Sequence, residues 1–321
     1  NSTTGVLTFN ASPDYENPTD QGNDNIYNVE ITASNSAGSA QLSLSVEIDD
    51  TSDNESSPRL SNISTRGYVG TGDSNMIVSF IVEGDGSKKV TIRALGPVLS
   101  LFGVQDALAD PYLTVTNQLT NEEITSNDNW QDHSSATNVT SAGKSEGIDN
   151  LESAVQLTLE AGQYSAVVSG VNNSTGNALV EVYDEDGASS GSIKLANVST
   201  RGYVGTGDSN MIVSFIVEGD GSKKVTIRAL GPVLSLFGVQ DALADPYLTV
   251  TNQLTNEEIT SNDNWQDHPS ASDVTSSGKS EGINDLESAV QLSLAEGQYS
   301  AVVSGVDGAT GNALVEVYDE D

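Results

Sequence analysis

The chain has 321 residues, of which 46 are acidic and 12 basic, giving a formal net charge of −34, and it contains no cysteine. Such a field repels phosphate backbones and anionic lipid surfaces, so nucleic acid and the membrane surface are excluded as partners. The absent cysteines exclude a disulfide scaffold, thiolate metal sites and a cysteine nucleophile, and no run of about eighteen apolar residues is there to insert into a membrane.

In chain order, residues 1–57 come first and differ from everything after them. Asn1 to Phe9 is polar, with no apolar leader, so the sequence reads as part of something longer. Strands are predicted at Gly5–Phe9, Ile26–Ala33 and Ala40–Ile48. Three strands alone rarely make a stable domain, so their partners are expected upstream of Asn1.

From there the chain repeats itself. Setting Leu60 against Leu195, an offset of 135, brings Arg66 onto Arg201, Trp130 onto Trp265 and Asp186 onto Asp321. Ser64 to His133 is identical in both copies, and 14 of 127 aligned positions differ. A unit of this length is far longer than a solenoid repeat, which buries its face only against neighbours. Each copy is therefore expected to be a self-contained bead, with boundaries at 58–186 and 195–321. The segment 187–194 (GASSGSIK) reads as a Gly/Ser linker spanning at most about 26 Å, so the beads stay close enough to touch.

Within a bead, Met76–Val82 is an apolar run bounded by Gly84-Asp85-Gly86, and Val90, Ile92 and Ala94 alternate with polar residues up to Gly96-Pro97. Leu113 and Val115 alternate likewise. Val155, Leu157 and Leu159 then precede a predicted turn at Ala161-Gly162, with Tyr164, Ala166 and Val168 beyond it. Ala178, Val180 and Val182 close the unit. Period-two alternation with frequent turn residues marks a sandwich or barrel. Only Val98–Leu108 is open to a short helical turn.

Residues 1–57 resemble the second half of a cadherin-like repeat, on Thr4-Gly5-Val6-Leu7, Asp14-Tyr15-Glu16, Asp24-Asn25-Ile26-Tyr27 and the closing Asp50-Thr51-Ser52-Asp53-Asn54. The resemblance implies an Ig-like β-sandwich and calcium at its end, with Asp14, Glu16, Asp50, Asp53 and Asn54 as ligands. The stretch departs from the family at Ser52, in place of Asn, and at Asn35, in place of Asp. Each bead resembles the bacterial pre-peptidase carboxy-terminal type of domain. The residues are Asp110-Pro111-Tyr112-Leu113, Ser126-Asn127-Asp128-Asn129, Glu160 to Ser165, and Val180-Glu181-Val182-Tyr183-Asp184. That likeness implies a jelly-roll-like, calcium-stabilised accessory of secreted enzymes and surface proteins. The expected fold class is all-β: tandem β-sandwich domains after a partial cadherin-like one.

Hard cations prefer clustered carboxylate and amide oxygens. The loop Asn127, Asp128, Asn129 and Asp132, with Asp110 and Asp149 beside it, is one calcium candidate. Asn262, Asp263, Asn264 and Asp267, with Asp245, is its copy. The competing reading is that Asp and Asn cap turns by bonding their own backbone, which needs no metal. Trp130 and Trp265 beside these loops are placed either to stack on a sugar or to anchor the loop. Asp132, His133 and Ser134 imitate a catalytic triad, but neighbours in sequence do not face one another, and Ser134 is Pro269 in the second copy. Catalysis is therefore not expected.

These observations predict a structural and adhesive stalk segment of a large secreted bacterial surface protein, stiffened by calcium. Its partners would be neighbouring modules or other copies of itself. The alternatives are a polysaccharide-binding accessory of a secreted hydrolase and a subunit of an extracellular filament.

Overall fold

The computed structural model describes residues 18–36, 38–48, 58–186 and 193–320, together with Phe9 and Pro13. The chain divides into two units, Asn1–Glu55 and Ser56–Asp321. It is all-β, and among the described residues every ladder between the named strands is antiparallel.

In the first unit, β1 (Ile26–Asn35) and β2 (Gly38–Glu47) form a hairpin running from Ile26 opposite Glu47 to Asn35 opposite Gly38. Both predicted strands are present, with ends displaced by a residue or two. The turn before β1 is held by the Asp20 carboxylate, which accepts N–H bonds from Gly22 at 2.8 Å, Asp24 at 3.2 Å and Asn25 at 3.1 Å. Asp14, Glu16, Asp50, Asp53 and Asn54, and the predicted strand at Gly5–Phe9 apart from Phe9, lie outside the described residues.

In the second unit, the first repeat contributes β3 (Arg59–Val69), β4 (Met76–Leu95), β5 (Pro111–Asn117), β6 (Glu122–Asn127), β7 (Ser153–Gly170) and β8 (Gly176–Asp184). The second contributes β9 (Lys194–Val204), β10 (Met211–Leu230), β11 (Pro246–Asn252), β12 (Glu257–Asn262), β13 (Ser288–Gly305) and β14 (Gly311–Asp319). The expected helical turn is a 3-10 segment at Pro97–Phe102, ended by Gly103 at φ 79°. Two short helices, α1 (Ala136–Ser141) and α2 (Ala271–Ser276), are additional to the sequence expectation.

Two predicted turns are bends inside long strands. The register of β4 on β7 breaks between Val82 and Ser87, at Gly84-Asp85-Gly86, and the same break absorbs the Ala161-Gly162 step of β7. Gly84 and Gly86, at φ 114° and 115°, adopt a backbone conformation that residues with a Cβ avoid. A bulge of this kind kinks the ladder without ending it. The first half of β4 can therefore border β9 while its second half borders β8.

That arrangement joins the repeats. β3 pairs on one side with β8 of its own repeat, Asn62 opposite Tyr183 through Val69 opposite Gly176. On the other side it pairs with β10 of the second repeat, Arg59 opposite Glu218 through Arg66 opposite Ile212. β9 mirrors this with β14 and β4, from Lys194 opposite Glu83 through Arg201 opposite Ile77. Twelve strands thus form one sheet, in the order β12-β11-β13-β10-β14-β9-β3-β8-β4-β7-β5-β6, and the buried apolar side chains of both repeats form one cluster. The expected pair of self-contained beads is replaced by a single unit in which each repeat completes the other's sheet edge. The expected linker is also shorter than 187–194: Ile193 is 5% exposed and Lys194 opens β9.

Candidate functional site

The junction between the repeats is the most elaborated region of the second unit. At its centre the Thr65 and Thr200 hydroxyls, 135 residues apart, share a buried hydrogen bond of 2.7 Å. The Tyr68 and Tyr203 rings meet edge to face at 6.1 Å. The chain's two methionines, Met76 and Met211, are fully buried here. Gly67 and Gly202 make room for them. A Cβ on Gly67 would come within 3.1 Å of the Met76 methyl and 3.8 Å of Met211, and one on Gly202 within 3.0 Å of the Met211 methyl.

Ion pairs run around this centre. Fully buried Lys88 places its Nζ 2.8 Å from Asp184 Oδ2 and donates to the carbonyl of Ile193 in the other repeat at 3.2 Å. Arg59 binds the same Asp184 at 3.1 Å and reaches across to Glu218 of the other repeat at 2.6 Å. Lys223 and Asp319 reproduce the buried pair at 2.6 Å. A buried ammonium needs such a partner, because isolating it from water is strongly unfavourable. Arg93 is equally committed, to Glu181, the Lys144 carbonyl and the Tyr183 hydroxyl.

Arg66 differs. Among the described residues it has no carboxylate partner, and its Nε is buried without a hydrogen bond. It lines a groove of about 590 Å³ whose walls come from both repeats: Leu99, Phe102 and Ile148 from the first, Ile212, Ser214 and Gln253 from the second. Arg201 lines the corresponding groove of about 410 Å³. Phe102 and Phe237, which line the grooves, are each 79% exposed, and their neighbours Leu101 and Leu236 are each 81% exposed.

The acidic loops of the two repeats are built alike. Asn127 points inward: its Oδ1 accepts from the Ala154 N–H at 3.1 Å and its Nδ2 donates to the Asn129 carbonyl at 2.8 Å. Asn262 repeats this, so neither amide fits a cation shell. Asn129 and Asn264 donate to Asp128 and Asp263, while Asp132 and Asp267 are exposed in 3-10 turns. The structure does bring Asp110 close to Asp128: burial, and then the Asp128 charge, hold the Asp110 carboxyl above the usual aspartate range. In the second repeat burial, and then the charges of Asp263 and Asp307, do the same to Asp245. Sequence reasoning missed Asp307 because it joins these loops only through the fold. No group of three or more histidine, aspartate or glutamate side chains takes up metal-binding geometry among the described residues.

Glu152 was also overlooked. It is fully buried, and its carboxylate accepts N–H bonds from Gly96 at 3.1 Å, Val98 at 2.9 Å and Asp149 at 2.7 Å. Burial pushes its pKa up, against the pull of those donors. Glu287 forms the same cage. His133 bonds Thr125 at 2.8 Å through Nε2 and Ser135 at 2.8 Å through Nδ1, and burial lowers its pKa. Neither Asp132 nor Ser134 takes part in these bonds. Trp130 and Trp265 are half-buried, with indole N–H groups hidden from solvent.

No known family matches the chain, and no curated protein matches it. Among solved structures, a DUF4785 family protein from Legionella pneumophila subsp. pneumophila aligns over 92% of this chain and 83% of its own, at 10% identity and a TM-score of 0.24. A likeness at that score carries no argument about function.

Proposed function

We propose that the chain is a non-catalytic structural and adhesive segment of a large secreted bacterial surface protein, in which the paired repeats act as one stiff unit. The observation that carries this reading is the reciprocal pairing of β3 with β10 and β9 with β4, in one register and with one bulge, between Ile216 and Val217 and between Ile81 and Val82. A flexible tether between separate beads bends under load. Strands shared between beads remove that joint, because bending would have to break a ladder and expose Phe80, Phe215, Ile63 and Val198. Each of these large side chains contributes about 1.5–3 kcal/mol when buried. The test is to stretch the full chain by its ends. One cooperative event releasing roughly 95 nm, for about 260 residues at roughly 3.6 Å each, supports the reading. Two successive events of half that length would overturn it.

Calcium stiffening belongs to this proposal as a second element. The observation favouring it is that Asp245, after its burial, feels the charges of Asp263 and Asp307, a repulsion that a divalent cation would relieve. Asp14, Glu16, Asp50, Asp53 and Asn54 are the proposed ligands in the first unit. The measurement is the unfolding midpoint of the full chain in excess Ca²⁺ and then in chelator, with Asp307→Asn alongside. A calcium-dependent rise that shrinks in the variant supports the second-repeat site, and an unchanged midpoint removes it.

A further inference from the structure

The junction uses the same surface twice. Val213 faces Thr65 and Val78 faces Thr200; Phe215 faces Ile63 and Phe80 faces Val198; Glu218 faces Arg59 and Glu83 faces Lys194. Shifting the two members of each pair by 135 residues in opposite directions yields its counterpart, which is the defining property of an isologous, self-complementary interface. The bonds are therefore indifferent to whether the two repeats belong to one chain. We infer that this face also pairs between chains, so that the first repeat of one copy engages the second repeat of another and two chains associate by exchanging repeats. The partner is a second copy of this chain.

Several observations support the exchange. Between Ser64 and His133 the copies are identical, so nothing in β4 or β10 distinguishes the partner in cis from one in trans. Within β3 and β9 only Arg59/Lys194, Ser61/Ala196 and Ile63/Val198 differ, and the first keeps its positive charge while the other two change little in size. The Thr65–Thr200 bond lies where like meets like, so it too is reproduced in trans. The preference for cis then rests on the tether. A short connection such as 187–192 sets an effective concentration of the order of 1 mM, and chains crowded to that density lose the preference. Exchange requires the junction to open, so it occurs on folding, or on unfolding and refolding, and the product persists on dilution.

The inference rests on the reading of the repeats as one joined unit, and the experiment separates the two. The chain has no cysteine, so Thr65→Cys and Thr200→Cys chains each carry a single thiol. The two variants are unfolded together, refolded over a range of concentrations and oxidised. The T65C/T200C double variant is treated in the same way at low concentration. The expected result is a disulfide closed within the double variant, and a covalent dimer from the mixture. That dimer should rival monomer near about 1 mM and fall to the order of 1% near 10 µM. Light scattering of unoxidised wild type refolded at both concentrations should show the same trend. A double variant that closes its disulfide, together with a mixture and a wild type that stay monomeric throughout, overturns repeat exchange and leaves the joined unit intact. A double variant that does not close, with separate unfolding of the two repeats, overturns both.

Discussion

The first and second repeats differ at 14 of 127 aligned positions, and the places where they differ obey different rules from the places where they do not. Where Asp149-Asn150 becomes Asn284-Asp285, each pair keeps its acceptors: Oδ1 of Asp149 or Asn284 takes the N–H two residues on, and Oδ1 of Asn150 or Asp285 takes the amide of Gln131 or Gln266. Asn172 and Asp307 occupy the same left-handed conformation, φ 57° and 54°, which both residue types tolerate. The Glu160/Ala295 exchange leaves the bonds of Tyr164 and Tyr299 unchanged, because both hydroxyls donate to a backbone carbonyl. These loops answer only to their own repeat. A residue of the shared face must satisfy two surroundings at once, its own sheet and its twin's, and there the copies scarcely depart from one another.

The comparison is broken most forcefully at the buried carboxylates, which are alike in both repeats. Glu152→Ala strands three backbone donors, worth about 1–3 kcal/mol each when fully buried and less for the part-buried Val98 and Asp149 N–H groups, so a loss of about 3–6 kcal/mol is expected. Glu287→Ala should cost the same. In calorimetry either change should lower a single shared transition; a second peak at the wild-type midpoint would mean that the repeats melt independently.

A smaller effect sharpens the same question. Thr65→Val leaves the Thr200 hydroxyl buried without its partner and should cost about 1–3 kcal/mol, whereas Thr65→Val with Thr200→Val should recover most of that loss. Additive losses in a denaturant-melt cycle would show that the hydroxyls do not meet.

The histidines give a gentler pH dependence. Burial holds His133 and His268 below the ordinary value of 6.5, so the unfolded chain takes up protons first as the pH falls through that value. The stability these groups supply is present above 6.5 and is lost as the pH drops through their lower folded values. Midpoints measured from pH 8 to pH 5 should fall, with up to about two protons taken up on unfolding. His133→Gln with His268→Gln should flatten the profile over this window. The raised acids, Glu152, Glu287, Asp110 and Asp245, act with the opposite sign, favouring the fold as they protonate at lower pH.

The smallest expected change distinguishes the repeats. Asp307→Asn gives the second repeat the side chain that the first has at Asn172. By relieving Asp245 it should stabilise the calcium-free chain by less than about 1 kcal/mol. Asn172→Asp should do the reverse in the first repeat. Equal, zero effects on the calcium-free midpoint would mean that these carboxylates do not sense one another.

The 135-residue offset and the alternation of Val90, Ile92 and Ala94 made the repeat and most of its strands legible before any fold was known. Gly84-Asp85-Gly86 misled, because a glycine pair reads the same in a hairpin turn and in a bulge, and only the partner strand decides between them. β3 left almost no trace: its inward positions include Thr65 and Gly67 beside Ile63 and Val69, so apolar periodicity is diluted. Its second neighbour lies more than 140 residues away, at Ile212, which no local pattern can encode. Asp110 and Asp128 could be singled out as acids near one another. Glu152 looked like any surface glutamate between Leu151 and Ser153, and nothing in the residue itself announced burial. Arg66 was visible as a residue, and its lack of a partner was not.

The bulge in β4 sets a parity on assemblies of this repeat. By freeing the first half of β4 from β8, it leaves an open edge on each copy, and among the described residues that edge is filled by the other copy's first strand, β9 for β4 and β3 for β10. A pair closes both edges and has none to spare. An array built of such copies is saturated at even numbers, and a three-copy chain would carry one vacant edge together with one idle first strand. Three-copy and four-copy chains compared by light scattering would expose that arithmetic: the odd one should dimerise and the even one should not.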